Sequence, residues 1–235
     1  MLSGMPARSY ARRAPLRGAP HVSVPIRVSP MSWADSFWWD ARVQPALARM
    51  SDRADRFWSW AFIRQVLPIW QHRKGRRCIA LVTWVRNREG NGVRAAMHLF
   101  LERYPHLDTR VRQEATFVWF ISTAPDDVLA QFGVPEAPAL GRICIDAAIV
   151  ASMAVGHGGR IGLHCARAGG TRLLLFYEQK CRLLRLPPLA ELPVARHNDG
   201  RFFYTDQERA EELAAELDSL REAAPQFDPQ ARRSR

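Results

Sequence analysis

The sequence predicts a mixed α/β (α+β) domain in which a mostly antiparallel sheet carries flanking helices. Three observations lead there. Two tryptophan-rich stretches with helical spacing stand near the front of the chain, and three apolar, β-rich runs follow one another behind them. Beyond those, short apolar runs alternate with helical patterns. With 235 residues and 47% apolar content, the chain can bury one full core. It divides into a basic, largely disordered leader at 1–30, a single domain at 31–223 and a basic tail at 224–235.

Within the leader, Val22, Val24, Ile26 and Val28 alternate with a period of two and suggest a short strand over 21–28, held to a sheet edge by Pro25. Helical spacing then runs from Ser32 to Met50, with Trp33, Phe37, Trp38 and Val43 as anchors and Pro45 as a kink. A second helix is expected from Ala54 to about Trp70, and the aromatic cluster on the two reads as packing against a sheet. Cys78 to Val85 and Val93 to Leu101, joined by an Asn/Gly-rich turn, read as a hairpin. Ala115 to Thr123 is apolar on both faces, as a central strand is. Gly141 to Val155 reads as a helix stopped by Gly156, Gly158 and Gly159. A strand at 160–165, a helix from Thr171 to Lys180, short strands at 183–186 and 201–204, and a last helix capped by Thr205 complete the order.

The formal charge is +11, and eight of those charges lie in the acid-free first 30 residues (Arg8, Arg12, Arg13, Arg17, Arg27) and at Arg232, Arg233 and Arg235. Basicity confined to the ends speaks for solubility rather than a nucleic-acid site, and no nucleic-acid-binding motif accompanies it. Four cysteines (Cys78, Cys144, Cys165, Cys181) without a paired spacing read as reduced thiols of a cytoplasmic protein. No metal site is expected, because the neighbours His164 and Cys165 point to opposite faces of a strand. No apolar run is long enough for a membrane span.

One segment carries more. Gly156 to His164 reads Gly-His-Gly-Gly-Arg-Ile-Gly-Leu-His, and Phe176-Tyr177-Glu178 follows in the next helix. Both are similar to the corresponding segments of the GNAT (Gcn5-related N-acetyltransferase) superfamily. More weakly, 118–125, ending Ser-Thr-Ala-Pro, resembles that family's central strand. The resemblance spans roughly 76–204. It implies a sheet whose two central strands splay apart, with acetyl-CoA as co-substrate in the wedge between them. Carried over, the backbone of Phe120, Ile121 and Ser122 would bond the pantetheine amides. Gly141, Arg142 and Ile143 would open the helix that receives the pyrophosphate, and Tyr177 would protonate the departing thiolate. The family's pyrophosphate loop, Gln/Arg-x-x-Gly-x-Gly/Ala, is met by Glu136 to Gly141, where only Gly141 matches.

These readings yield an acyl-CoA-dependent N-acetyltransferase acting on an unidentified amine, with a homodimer as an admissible assembly. The alternative is a catalytically inactive GNAT-like binding or interaction module. Glu102, Glu114, His98 and His164 flank or lie in strands, and none is marked as the general base. Asp126 and Asp127 read first as a solvated turn, and only second as a pair that would draw a cationic amine to the mouth of the wedge.

Overall fold

In the computed structural model, the residues described are 8–222, apart from 73, 74, 111, 135, 137, 195 and 196. The expected tail at 224–235 lies outside them. Among these residues the strands form one eight-stranded sheet in the order β1-β2-β3-β4-β5-β6-β8-β7. They are β1 (Arg13–Pro15), β2 (Ser23–Pro30), β3 (Cys78–Arg86), β4 (Gly92–Pro105), β5 (Glu114–Thr123), β6 (Ile161–His164), β7 (Leu184–Arg185) and β8 (Phe202–Tyr204). Every described pairing is antiparallel except β5 with β6.

Residues 13–30 are ordered where a largely disordered leader is expected. Strand β2 overlaps the anticipated 21–28 strand and pairs with β3, and β1 pairs with β2. Leu16 bridges Pro138, and the Pro15 carbonyl accepts a bond from the Ala139 amide at 2.7 Å. Arg12 N–H bonds to the Leu220 carbonyl at 2.8 Å, so this segment also reaches a residue about 200 positions downstream.

The first helical stretch is two helices, α1 (Trp33–Arg42) and α2 (Gln44–Ala48), because Pro45 opens α2 rather than kinking one long helix. Ser32 and Asp35 form a reciprocal capping box at α1. Helix α3 (Trp60–His72) begins six residues later than its pattern suggests. The reason is its cap: Asp40 of α1 accepts bonds from the amides of Trp60 (2.7 Å) and Ala61 (3.0 Å). The residues ahead of Trp60 are thereby left as a loop.

Helices α1 to α3 cover one face of the sheet, with Trp39, Leu47 and Trp60 fully buried. The aromatic cluster is not all core, however: Trp33 (45% exposed), Phe37 (60%) and Phe62 (63%) face outward. Helix α4 (Asp126–Gln131) follows β5. The other face holds α5 (Leu140–Ala154) and α7 (Gln207–Ala215), with Ile145, Ile149, Phe100, Leu163 and Phe203 in its core. Asp206, not Thr205, caps α7. The Thr205 hydroxyl is buried instead, donating to the Gly159 carbonyl and accepting from the Ile161 amide. Gly159 (φ +80°) packs so closely that an added Cβ would lie 2.7 Å from that of Ala210. Helix α6 (Gly170–Leu175) runs into a π turn over Phe176–Lys180.

Candidate functional site

Strands β5 and β6 pair for three residues, from Thr116–Ile161 to Val118–Leu163. Strand β5 then continues for five residues to Thr123 with β4 alone beside it. The β5–β6 pairing therefore stops after Val118, as the wedge implied by the family resemblance requires. A register shift between β4 residues Leu99 and Phe100 leaves Trp119 as the extra residue of β5 at the parting point.

Which backbone groups face the wedge follows from the register. Ala124 N–H bonds to the Ala95 carbonyl. By antiparallel alternation Ser122 and Phe120 also turn their amides and carbonyls to β4, while Thr123 and Ile121 turn theirs to the open edge. Of Phe120, Ile121 and Ser122, it is thus Ile121 that presents its backbone to the wedge. The Thr123 carbonyl there accepts a bond from Arg53 at 2.8 Å. The side chains of Phe120 and Ser122 point to the α1–α3 face. The Phe120 ring meets Trp58 edge-on at 4.7 Å, and the Ser122 hydroxyl donates to Asp55 in a very short bond.

Asp55 is a residue that sequence reasoning missed. It is 3% exposed, pairs with Arg53 at 2.6 Å, and belongs to the loop between α2 and α3 that folds against the end of β5. A single acid in a stretch that reads as helix carries no local signal. Its partner Ser122 stands 67 positions away.

Tyr177 lies in the π turn on the α5 face, with its ring 5.7 Å from that of Phe203. Burial raises its pKa above the ordinary tyrosine value, and Cys181, Cys165, Cys144 and Asp55 add to the rise. Asp55 sits on the opposite face, so its influence reaches the phenol across the sheet. The hydroxyl is consequently a proton donor that stays protonated through neutral pH.

At the diphosphate end the groups fit less well. Gly141 and Arg142 lie in the first turn of α5 with amides that have no intrahelical acceptor, whereas the Ile143 amide bonds back to the carbonyl of the N-cap residue Ala139. Ala139 N–H, just ahead of them, is taken by Pro15, and Pro138 has no N–H to give. The Arg142 guanidinium turns away to Glu216 at 2.6 Å, and the Ile143 side chain is core. Gly141 has a packing reason of its own, since a Cβ there would come 2.4 Å from Cζ of Phe176. Backbone groups of Ile121 thus face the open edge of β5, while part of the donor set ahead of α5 is already used.

The other candidates separate. His98 is fully buried, bonded through Nε2 to Thr83 at 2.8 Å, and burial lowers its pKa to about 3. That describes a neutral core histidine. Glu102 is buried beside Arg77 at 3.9 Å, and Glu114 is mostly exposed near His157. Asp126 is paired with Arg17 at 2.7 Å. His164 bonds to Asp199 at 3.1 Å. Cys144, Cys165 and Cys181 are buried free thiols. No helix among the described residues is long and apolar enough to cross a membrane.

No family model matches the chain, and no curated protein matches it by sequence. Among solved structures it is similar to AtaTR bound with AcCoA, at 12% identity over 80% of this chain and 97% of that one, TM-score 0.43. It is similar to a KacTA–DNA complex, at 10% identity over 81% and 99%, TM-score 0.46. A spermidine N-acetyltransferase SpeG chimera from Vibrio cholerae and hSSAT gives 14% identity over 79% and 97%, TM-score 0.43. Likenesses at this level are of outline alone. The splayed parallel junction is a property of the chain's own sheet.

Proposed function

We propose that this protein is an acyl-CoA-dependent N-acetyltransferase that moves an acetyl group from acetyl-CoA to an amine. The observation that carries the reading is the parting of β5 and β6 after Val118–Leu163, with the Ile121 edge open on one arm and Tyr177 on the α5 face. When bound, acetyl-CoA supplies the activated thioester. The Ile121 amide and carbonyl bond the pantetheine arm as one more strand pairs with a sheet edge. The first-turn amides of Gly141 and Arg142, at the positive end of the α5 dipole, face the diphosphate, and Ile143 closes that turn. Tyr177, protonated at neutral pH, gives its proton to the thiolate as the C–S bond breaks.

Acetyl-CoA at about 100 times its Kd should stabilise the fold by roughly 2.7 kcal/mol, read as a rise in Tm. Tyr177→Phe should keep that rise and slow CoA release about 100-fold in a thiol assay. An unchanged Tm at millimolar acetyl-CoA would sink the reading.

The crowded diphosphate end favours one other reading, a GNAT-like binding module without catalysis. Pro15 on the Ala139 amide and Arg142 drawn to Glu216 support it. It requires that neither acetyl-CoA nor free CoA shifts Tm, and that the protein is otherwise stably folded.

A further inference from the structure

The acetyltransferase reading leaves the acceptor's proton without a destination, and β6 offers one. His164 is the first β6 residue past Leu163, the last to pair with β5, so it stands where the strands part. Its ring lies 4.4 Å from that of Phe202, within the core of the α1–α3 face. Tyr177 packs on Phe203, within the core of the α5 face. A histidine and a phenol thus approach the opening from opposite sides of the sheet.

The histidine is oriented. Its Nε2 lies 3.1 and 3.3 Å from the two carboxylate oxygens of Asp199. An ionised carboxylate only accepts, so Nε2 carries the hydrogen, and the neutral ring keeps its lone pair on Nδ1. Among the described residues no group bonds to Nδ1. Asp199 is itself fixed by Arg167 Nε and by the Arg201 amide, each at 3.2 Å. Burial alone would raise its pKa, but the hydrogen bonds from His164 and Arg167 outweigh that and hold it below the usual carboxylate value. The side chain of His164 is 32% exposed and that of Asp199 12%, so the ring is reachable while its partner is shielded.

We propose that His164, positioned by Asp199, is the general base that takes the proton from an amine entering on the α1–α3 face. The assignment rests on the acetyltransferase reading. The amine nitrogen bonds to the acetyl carbon as the C–S bond breaks. His164 Nδ1 takes the proton released by nitrogen, and Tyr177 delivers one to sulfur. The net transfer is one proton from amine to thiol. Asp199 acts through the ring, as a positioning residue.

The test follows thiol release from acetyl-CoA with two probe amines, glycinamide, which is partly protonated at neutral pH, and hydroxylamine, which is already neutral. His164→Ala is expected to slow glycinamide transfer about 100-fold, to leave hydroxylamine transfer within a few-fold, and to regain rate with added imidazole. Asp199→Asn should lower kcat for glycinamide with little change in KM. An unchanged Tm rise with acetyl-CoA in each variant, and in His164→Gln, separates lost chemistry from lost folding. Equal losses with both amines, or none, overturn the assignment. So does a wild type that binds acetyl-CoA and transfers to neither amine. A wild type that does not bind acetyl-CoA overturns the acetyltransferase reading itself.

Discussion

Arg94 is held between the rings of Trp38 (4.9 Å) and Trp84 (4.5 Å) and pairs with Asp35 at 2.8 Å. Both charged side chains are nearly buried, and Asp35 also closes the capping box of α1. Arg94→Ala would leave that carboxylate uncompensated, at a cost of about 3–5 kcal/mol in urea unfolding. Arg94→Lys should recover only part of this, because a lysine keeps the charge and loses the planar stacking. His98 gives a pH dependence. Its pKa falls from about 6.5 to about 3 on folding, so between those values the unfolded chain binds the extra proton. Stability should therefore drop as pH falls through that window, and His98→Leu should flatten the slope by about one proton. Urea midpoints at neutral pH and at about pH 4.5 read the difference. The motif at Phe176-Tyr177-Glu178 is legible in the sequence, whereas the bonds of Asp55 and His164 are not. Each depends on a partner far along the chain, Ser122 or Asp199.

Strands were the most legible elements, since β-branched runs and a hairpin turn are local signals. The start of α3 was not legible, because Asp40, twenty positions ahead of Trp60, decides it. Nor was the bulge at Trp119, which reverses the parity of β5 and puts Ile121 rather than Ser122 on the open edge. The π turn at Phe176–Lys180 reads as ordinary helix in sequence, although π turns often mark functional sites. Its ring at Phe176 fits against α5 only because residue 141 has no side chain. Gly141→Ala should destabilise by about 1–3 kcal/mol by forcing the two helices apart. If Gly141 served the diphosphate alone, the same variant would lose the acetyl-CoA Tm rise without changing the Tm of the free protein.

Across the whole molecule the Arg-rich front segment is structural. Its composition resembles a disordered leader because, beyond the pairing of β1, β2 and β3, the partners that fasten it, Pro138, Ala139, Asp126 and Leu220, lie more than a hundred positions downstream. Beyond β1 and β2, Arg8 pairs with Asp218 at 3.3 Å, and Arg221 bonds to the Ser9 carbonyl at 3.0 Å and to the buried Asp146. Removing residues 1–16 should therefore lower Tm by several degrees and speed proteolysis around α7. A deletion that leaves Tm and cleavage unchanged would show the segment to be dispensable.

The bond from Arg12 to Leu220 also sets an order of events during synthesis. Arg12 leaves the ribosome about 200 positions ahead of Leu220 and must wait for it before this contact can close. Until then β1 is fastened to β2 alone, a loosely held edge strand of the kind that recruits other chains. A nascent protein of this design is most exposed to aggregation in the interval before α7 and Leu220 emerge, and that is when a chaperone would matter most to its yield.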